Sequence, residues 1–122
     1  MYGFDERTWN EAKVEAIAIM RQVARRRSTV SYTALVAGIK SVRFEPHDVR
    51  LFGLLGEIST EEAAAGRPML TALVVHKSGD MRPGAGFLNL AKRLGKKSTD
   101  EFWIEELSKV HEFYAPRRQK AG

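Results

Sequence analysis

Between residues 8 and 25 the apolar positions Trp9, Ala12, Ala16, Met20 and Val23, with Ile17 and Ala24 beside them, return every three or four residues and leave the positions between them mostly polar. Side chains on one face of an α-helix recur with that period, so a first helix is expected over residues 8–25, where Thr8, Trp9, Asn10 and Glu11 fit a capping box. A very short strand at Thr29 and Val30 follows. Ser31 is then placed to cap a two-turn helix that carries Tyr32, Leu35 and Val36 and stops at Gly38. Residues 40–45 connect it to a third helix, opened by Pro46, in which Val49, Phe52, Leu55 and Ile58 face the core. Gly53 and Gly56 lie on this helix. Each interior glycine costs about 1 kcal/mol against alanine, so the pair suggests another backbone packed closely there.

Residues 69–75, MLTALVV, break the helical rhythm. An uncharged run bounded by Pro68 on one side and by Lys77, Ser78, Gly79 and Asp80 on the other predicts a buried strand that leads into a turn. Pro83, Gly84 and Gly86 mark a loop, after which Phe87, Leu88, Leu90, Ala91 and Leu94 resume the helical spacing until Gly95. A strand, a basic loop and a short helix in this order have the form of the wing of a winged-helix domain, and equally of a hairpin whose loop is merely solvated. Ser98, Thr99, Asp100 and Glu101 form a second capping box, and Trp103, Leu107, Val110 and Tyr114 give a last helix its apolar face as far as Ala115. Residues 116–122, beginning at Pro116, are expected as a mobile basic tail. The pattern predicts one α+β domain over residues 1–115: a winged helix-turn-helix with extra N- and C-terminal helices, five helices in all, and a small antiparallel sheet.

Composition narrows the chemistry. With 122 residues, 43% of them hydrophobic, the chain is long enough for one core. It contains no cysteine, so disulfides, thiolate metal sites and thiol nucleophiles are excluded. No apolar run approaches the ~20 residues of a membrane span, and the first residues lead directly into charged ones, so a soluble cytoplasmic protein is expected.

The formal net charge is +5, and it is not spread evenly. Residues 25–50 hold six Lys and Arg against two acids, residues 67–97 hold seven against one, and the remaining segments are each net negative. A concentrated excess of this kind implies a polyanionic partner, although a basic surface without a ligand gives the same distribution. Arg25, Arg26 and Arg27 at the end of the first helix also suit its dipole and so need no ligand.

Catalytic constellations are not evident. His47, His76 and His111 fall on different elements with no second histidine at ligand spacing, so no metal is expected. Ser31 and Ser78 lack a base and an orienting group, which leaves no catalytic residue to name. Glu57, Glu61 and Glu62 are expected on the solvated face of their helix. Gly84 and Gly86 are not followed by the lysine and Ser/Thr of a phosphate loop, and no cofactor is implied.

TVSYTALVAGI at 29–39, VRLFGLLGE at 49–57 and LVVHKSGDMRPGAG at 73–86 resemble, in that order, the DNA-binding winged-helix domain of O6-alkylguanine-DNA alkyltransferases and alkyltransferase-like proteins. The resemblance covers about half of the chain. It implies that Tyr32 opens a helix-turn-helix and packs against the DNA backbone, and that Arg50, within Arg50, Leu51, Phe52 and Gly53, inserts into the duplex. The family's reactive Pro-Cys-His-Arg quartet is replaced by Leu70, Thr71, Ala72 and Leu73, ahead of Val74 and Val75. Connections at residues 40–46 and 59–68 are also longer than the family's. A scaffold that binds double-stranded DNA without alkyl transfer is therefore expected, with Arg43, Lys77, Arg82, Lys92 and Arg93 as its phosphate contacts. The competing expectation is a small interaction module or homodimer, joined through the Gly53 and Gly56 face or through exposed aromatics.

Overall fold

The structure, a computed structural model, describes residues 3–46, 48–76, 83 and 85–116. Helix α1 spans Glu6–Arg25. It starts two residues before the predicted boundary because Asp5, not Thr8, caps it: the Asp5 carboxylate accepts the Thr8 amide at 2.7 Å. The expected stripe is buried at Trp9, Ala12, Ala16, Met20 and Ala24. Strand β1, Val30–Ser31, leads directly into α2, Tyr32–Gly38, where Ser31 Oγ accepts the Ala34 amide at 3.1 Å, as its position in the sequence predicts. At the end of α2, a Cβ on Gly38 would lie 2.6 Å from Ile19 Cδ1, so this glycine lets α2 approach α1 closely.

Helix α3, Val49–Ala64, begins after Asp48 and leaves Pro46 outside its first turn. Its buried face is rotated from the predicted one. Leu51, Leu54, Leu55 and Ile58 enter the core, whereas Val49 is 68% and Phe52 40% exposed. Two apolar arcs compete on this helix, and the leucine-rich one supplies the larger continuous surface for α1 and the centre of the domain.

That centre differs from expectation. Residues 69–75 are buried throughout, yet Leu70–Leu73 form a 3-10 helix and only Val74–Val75 form a strand, β2. An apolar run that is buried on all sides has no period to distinguish strand from helix. Its backbone is satisfied from α5: the Met69 amide donates to Glu106 Oε2 at 2.8 Å and Trp103 Nε1 donates to the Ala72 carbonyl at 2.9 Å.

The sheet is also corrected. β1 and β2 run parallel, pairing Val30 with Val74 and Ser31 with Val75, and among the described residues the antiparallel relation is confined to an isolated bridge from Val75 to Pro83. Parallel pairing follows from the long crossover through α2 and α3, which brings the chain back to the same end of the sheet. Helix α4, Ala85–Arg93, ends before Gly95, whose φ of 77° suits a glycine at a helix terminus. Helix α5, Asp100–Tyr114, is capped by Thr99, one residue beyond Ser98, and packs across α1 and the 3-10 helix. The fold is thus α+β and mostly helical, with five α-helices and a two-stranded parallel sheet among the described residues. None of these helices is long and apolar enough to cross a membrane.

Candidate functional site

An open groove of about 630 Å³ runs between α3 and α4. Tyr32, Phe52 and Gly56 lie on the side of α2 and α3, Asn89 and Arg93 on the side of α4, and Thr71 of the 3-10 helix also lines it. Tyr32 is the first residue of α2, so the Ser31 cap fixes where its ring sits. That ring is buried, with the Phe52 ring edge-on at 5.9 Å and the exposed His76 ring at 5.4 Å. A Cβ at Gly56 or at Gly86 would meet nothing within 4 Å. At Gly56 this overturns the expectation of a second backbone packed against the helix: the glycine keeps the groove open.

Thr71 stands second in the 70–73 quartet. Its hydroxyl lies 2.6 Å from Ser59 Oγ, and both residues are buried. Among the described residues no buried side-chain nitrogen or oxygen lacks a hydrogen-bond partner. The Ser59 and Thr71 hydroxyls satisfy one another, and among the described residues neither is hydrogen-bonded to a base of the kind a nucleophile requires.

Of the residues singled out from the sequence, the groove brings together Tyr32 and Arg93. Lys92 is exposed on α4 and Arg43 is exposed on the connection from α2 to α3. Lys77 and Arg82 lie outside the described residues. Arg50 is held away from the groove: its Nε donates to Asp48 Oδ1 at 3.0 Å and its Nη2 to Asp48 Oδ2 at 2.6 Å. The guanidinium also lies over the rings of Phe4, at 5.1 Å, and Phe44, at 5.9 Å. Hydrogen bonds from the Arg50 side chain and backbone hold the Asp48 carboxyl far below the usual carboxylate range, and Asp48 raises the guanidinium in return.

The acids of α3 are where the sequence reading fails most. Only Glu61 is largely in solvent; Glu62 is 2% exposed, where its carboxylate pairs with Arg67 and Arg21 and accepts the Tyr114 hydroxyl at 3.2 Å. Glu57 accepts Lys13 Nζ at 2.5 Å and Trp9 Nε1 at 2.7 Å. Burial opposes ionisation of Glu57, but these hydrogen bonds outweigh it and its carboxyl is lowered. Nothing in the spacing of residues 57–62 marks which acid turns inward, because the partners come from α1, from residue 67 and from α5.

No group of three or more His, Cys, Asp and Glu able to hold a metal occurs among the described residues. The groove offers aromatic surface, hydrogen-bonding groups at Thr60 and Asn89, the carboxylates of Glu57 and Glu61, and a cation at Arg93. Comparison with protein-family models, with curated proteins and with solved structures finds no match for this chain.

Proposed function

We propose that the chain is a non-catalytic protein that binds double-stranded DNA through the groove between α3 and α4, with α2 and α3 as a helix-turn-helix and the segment after β2 as its wing. The observation that carries this reading is a groove with Tyr32 and Phe52 on one side and Arg93 on the other, Arg93 having no ion pair among the described residues. Lys92 on the same helix and Lys97 after it are exposed, as is Lys96, which lines a separate pocket beside Met69 and Glu106, and none of the three is ion-paired among the described residues. Cations that the fold does not use can displace counterions from a phosphate backbone. Arg43, Lys77 and Arg82 are further phosphate contacts in this reading, Lys77 and Arg82 lying outside the described residues.

The test is a mobility shift of a labelled duplex at two salt concentrations, run beside a sizing column. Binding that weakens steeply with salt is expected, and salt-insensitive binding or none overturns the reading. Incubation with alkylated duplex should leave the mass of the chain unchanged, because no thiolate exists to accept an alkyl group. The exposed Val49 and Phe52 favour one other reading, a protein interface, for which a Phe52-dependent dimer on the column is the signature.

A further inference from the structure

We propose that Phe52 is the side chain this protein wedges between stacked base pairs, and that Arg50 is not. The proposal rests on the DNA-binding reading and assigns the residue that enters the duplex.

Val49 and Phe52 sit one turn apart on the outer face of α3, where no element among the described residues covers them. The buried arc of Leu51, Leu54, Leu55 and Ile58 already anchors the helix, so the outer pair is not spent on the core. Phe52 is nonetheless not loose, since the buried Tyr32 ring meets it edge-on at 5.9 Å and limits the directions it can take. An apolar side chain aimed outward from a fixed helix is the device by which minor-groove binders unstack a base step and kink the duplex.

The surroundings select a nucleic acid as the occupant. Phe52 lies on the groove, where a Cβ at Gly56 or Gly86 would meet nothing within 4 Å, so these two positions leave room for a flat ring system that approaches it. The acids that line the groove, Glu57 and Glu61, are both held by Lys13, whereas Arg93 and Lys92 on α4 have no ion pair among the described residues and supply positive charge complementary to phosphates on either side of an opened step. A protein partner would match the apolar pair but would need acids placed against the same cations.

Arg50 is engaged elsewhere. To enter a duplex it must leave both Asp48 oxygens and the Phe4 and Phe44 rings, and Asp48 in turn holds the Arg50 amide at 2.9 Å as the cap of α3. Releasing the guanidinium therefore gives up a charge-assisted pair that the free protein already has, whereas Phe52 needs no release.

The experiment uses the full chain and a duplex carrying 2-aminopurine at a central step, with circular dichroism as the folding control. The parent should raise 2-aminopurine fluorescence on binding. Phe52→Ala should weaken binding about tenfold, the scale of removing one base–aromatic stack, and abolish the fluorescence change. Phe52→Leu should keep most of the change, because a leucine also wedges. Arg50→Ala should leave it in place. Val49 is so exposed that Val49→Ala should not affect folding, and it should weaken binding about twofold. A well-folded Phe52→Ala protein that binds and unstacks DNA like the parent overturns the wedge while leaving the DNA reading intact. Loss of the signal in Arg50→Ala with retention in Phe52→Ala also overturns it. A parent that binds no duplex and forms a dimer dissolved by Phe52→Ala overturns both and makes the patch a protein interface.

Discussion

The two sides of α3 treat charge in opposite ways. Toward α1 and α5 its acids are matched: Glu57 and Glu61 meet Lys13, and Glu62 meets Arg21 and Arg67. Toward α4 the same helix shows Phe52, Gly53 and Gly56, with Glu57 and Glu61, both held by Lys13, on the edge of the same groove, and across from them Arg93 forms no ion pair among the described residues. Two of the matched cations come from α1 and the third from just beyond the end of α3, so the negative charge of α3 consumes Lys13, Arg21 and Arg67. The excess of +5 therefore resides largely in residues that do not hold the fold, Arg43, Lys92, Arg93, Lys96 and Lys97 among them. In the proposed DNA-binding reading, paired charge serves stability and unpaired charge serves the partner, and each half of that distinction can be tested separately.

The largest effect is expected at Glu62. Its carboxylate is buried, and it gathers Arg67, Arg21 and the Tyr114 hydroxyl from three parts of the chain. Glu62→Ala leaves those groups without their acceptor, but both arginines can reach water, so the loss should be about 2–4 kcal/mol rather than the full cost of a stranded buried ion. Urea denaturation followed by tryptophan fluorescence measures it. A loss under about 0.5 kcal/mol would place Glu62 with ordinary surface acids and dissolve the contrast.

Glu57 gives the same side of α3 a pH dependence. Its carboxyl is lowered in the folded state from an ordinary value of 4.5, so its contribution is complete above that value and is lost as pH falls through the lower folded one. Glu57→Gln should therefore destabilise by about 1 kcal/mol at pH 7, and the gap between variant and parent should close on acidification below the carboxylate range. Melts at several pH values decide it; a gap that widens toward acid reverses the sign and sinks the assignment.

Much of this architecture is legible in the sequence, and the failures have physical causes. The α1 stripe and the Ser31 cap are local, set by spacing and by one hydroxyl, and both stand where expected. Phe52 and Leu51 are equally apolar, so which arc of α3 turns inward depends on what packs there, and periodicity alone selects the wrong one. The 3-10 helix is hidden for a similar reason. Its backbone partners, Trp103 and Glu106, lie 31 and 37 residues away from the groups they bind, and no local pattern announces them. Of the site, Tyr32 and Arg93 are readable as an aromatic helix start and a cation on a short helix; the Asp48 hold on Arg50 is not, because an acid two residues before an arginine is ordinary in any sequence.

Gly56 sharpens the comparison from the open side. A Cβ there meets nothing within 4 Å, so Gly56→Ala adds helix propensity without a clash and should stabilise the protein by about 0.5–1 kcal/mol. Thermal denaturation is sufficient to see it. Destabilisation would mean that a backbone or side chain occupies this face in solution, and would favour the protein-interface reading over DNA.

The smallest effect on stability should come from Arg93, and its near absence there is informative. Arg67 and Arg93 carry the same charge, but Arg67 is paired with Glu62 while Arg93 faces the groove with no ion pair among the described residues. Removing either by alanine takes one positive charge from the chain, so any general effect of net charge on DNA binding is equal in the two variants. Arg67→Ala should lower stability through the loss of its pair and leave the salt dependence of duplex binding close to that of the parent. Arg93→Ala should leave stability within about 0.5 kcal/mol of the parent while the slope of log affinity against log salt flattens by about 0.9, the change expected when one phosphate is no longer neutralised by the protein. Duplex titrations at three or four salt concentrations, on variants first checked by denaturation, separate the two. Equal slopes for both variants would mean that DNA responds only to the overall charge, and the groove would lose its claim to be where the duplex lies.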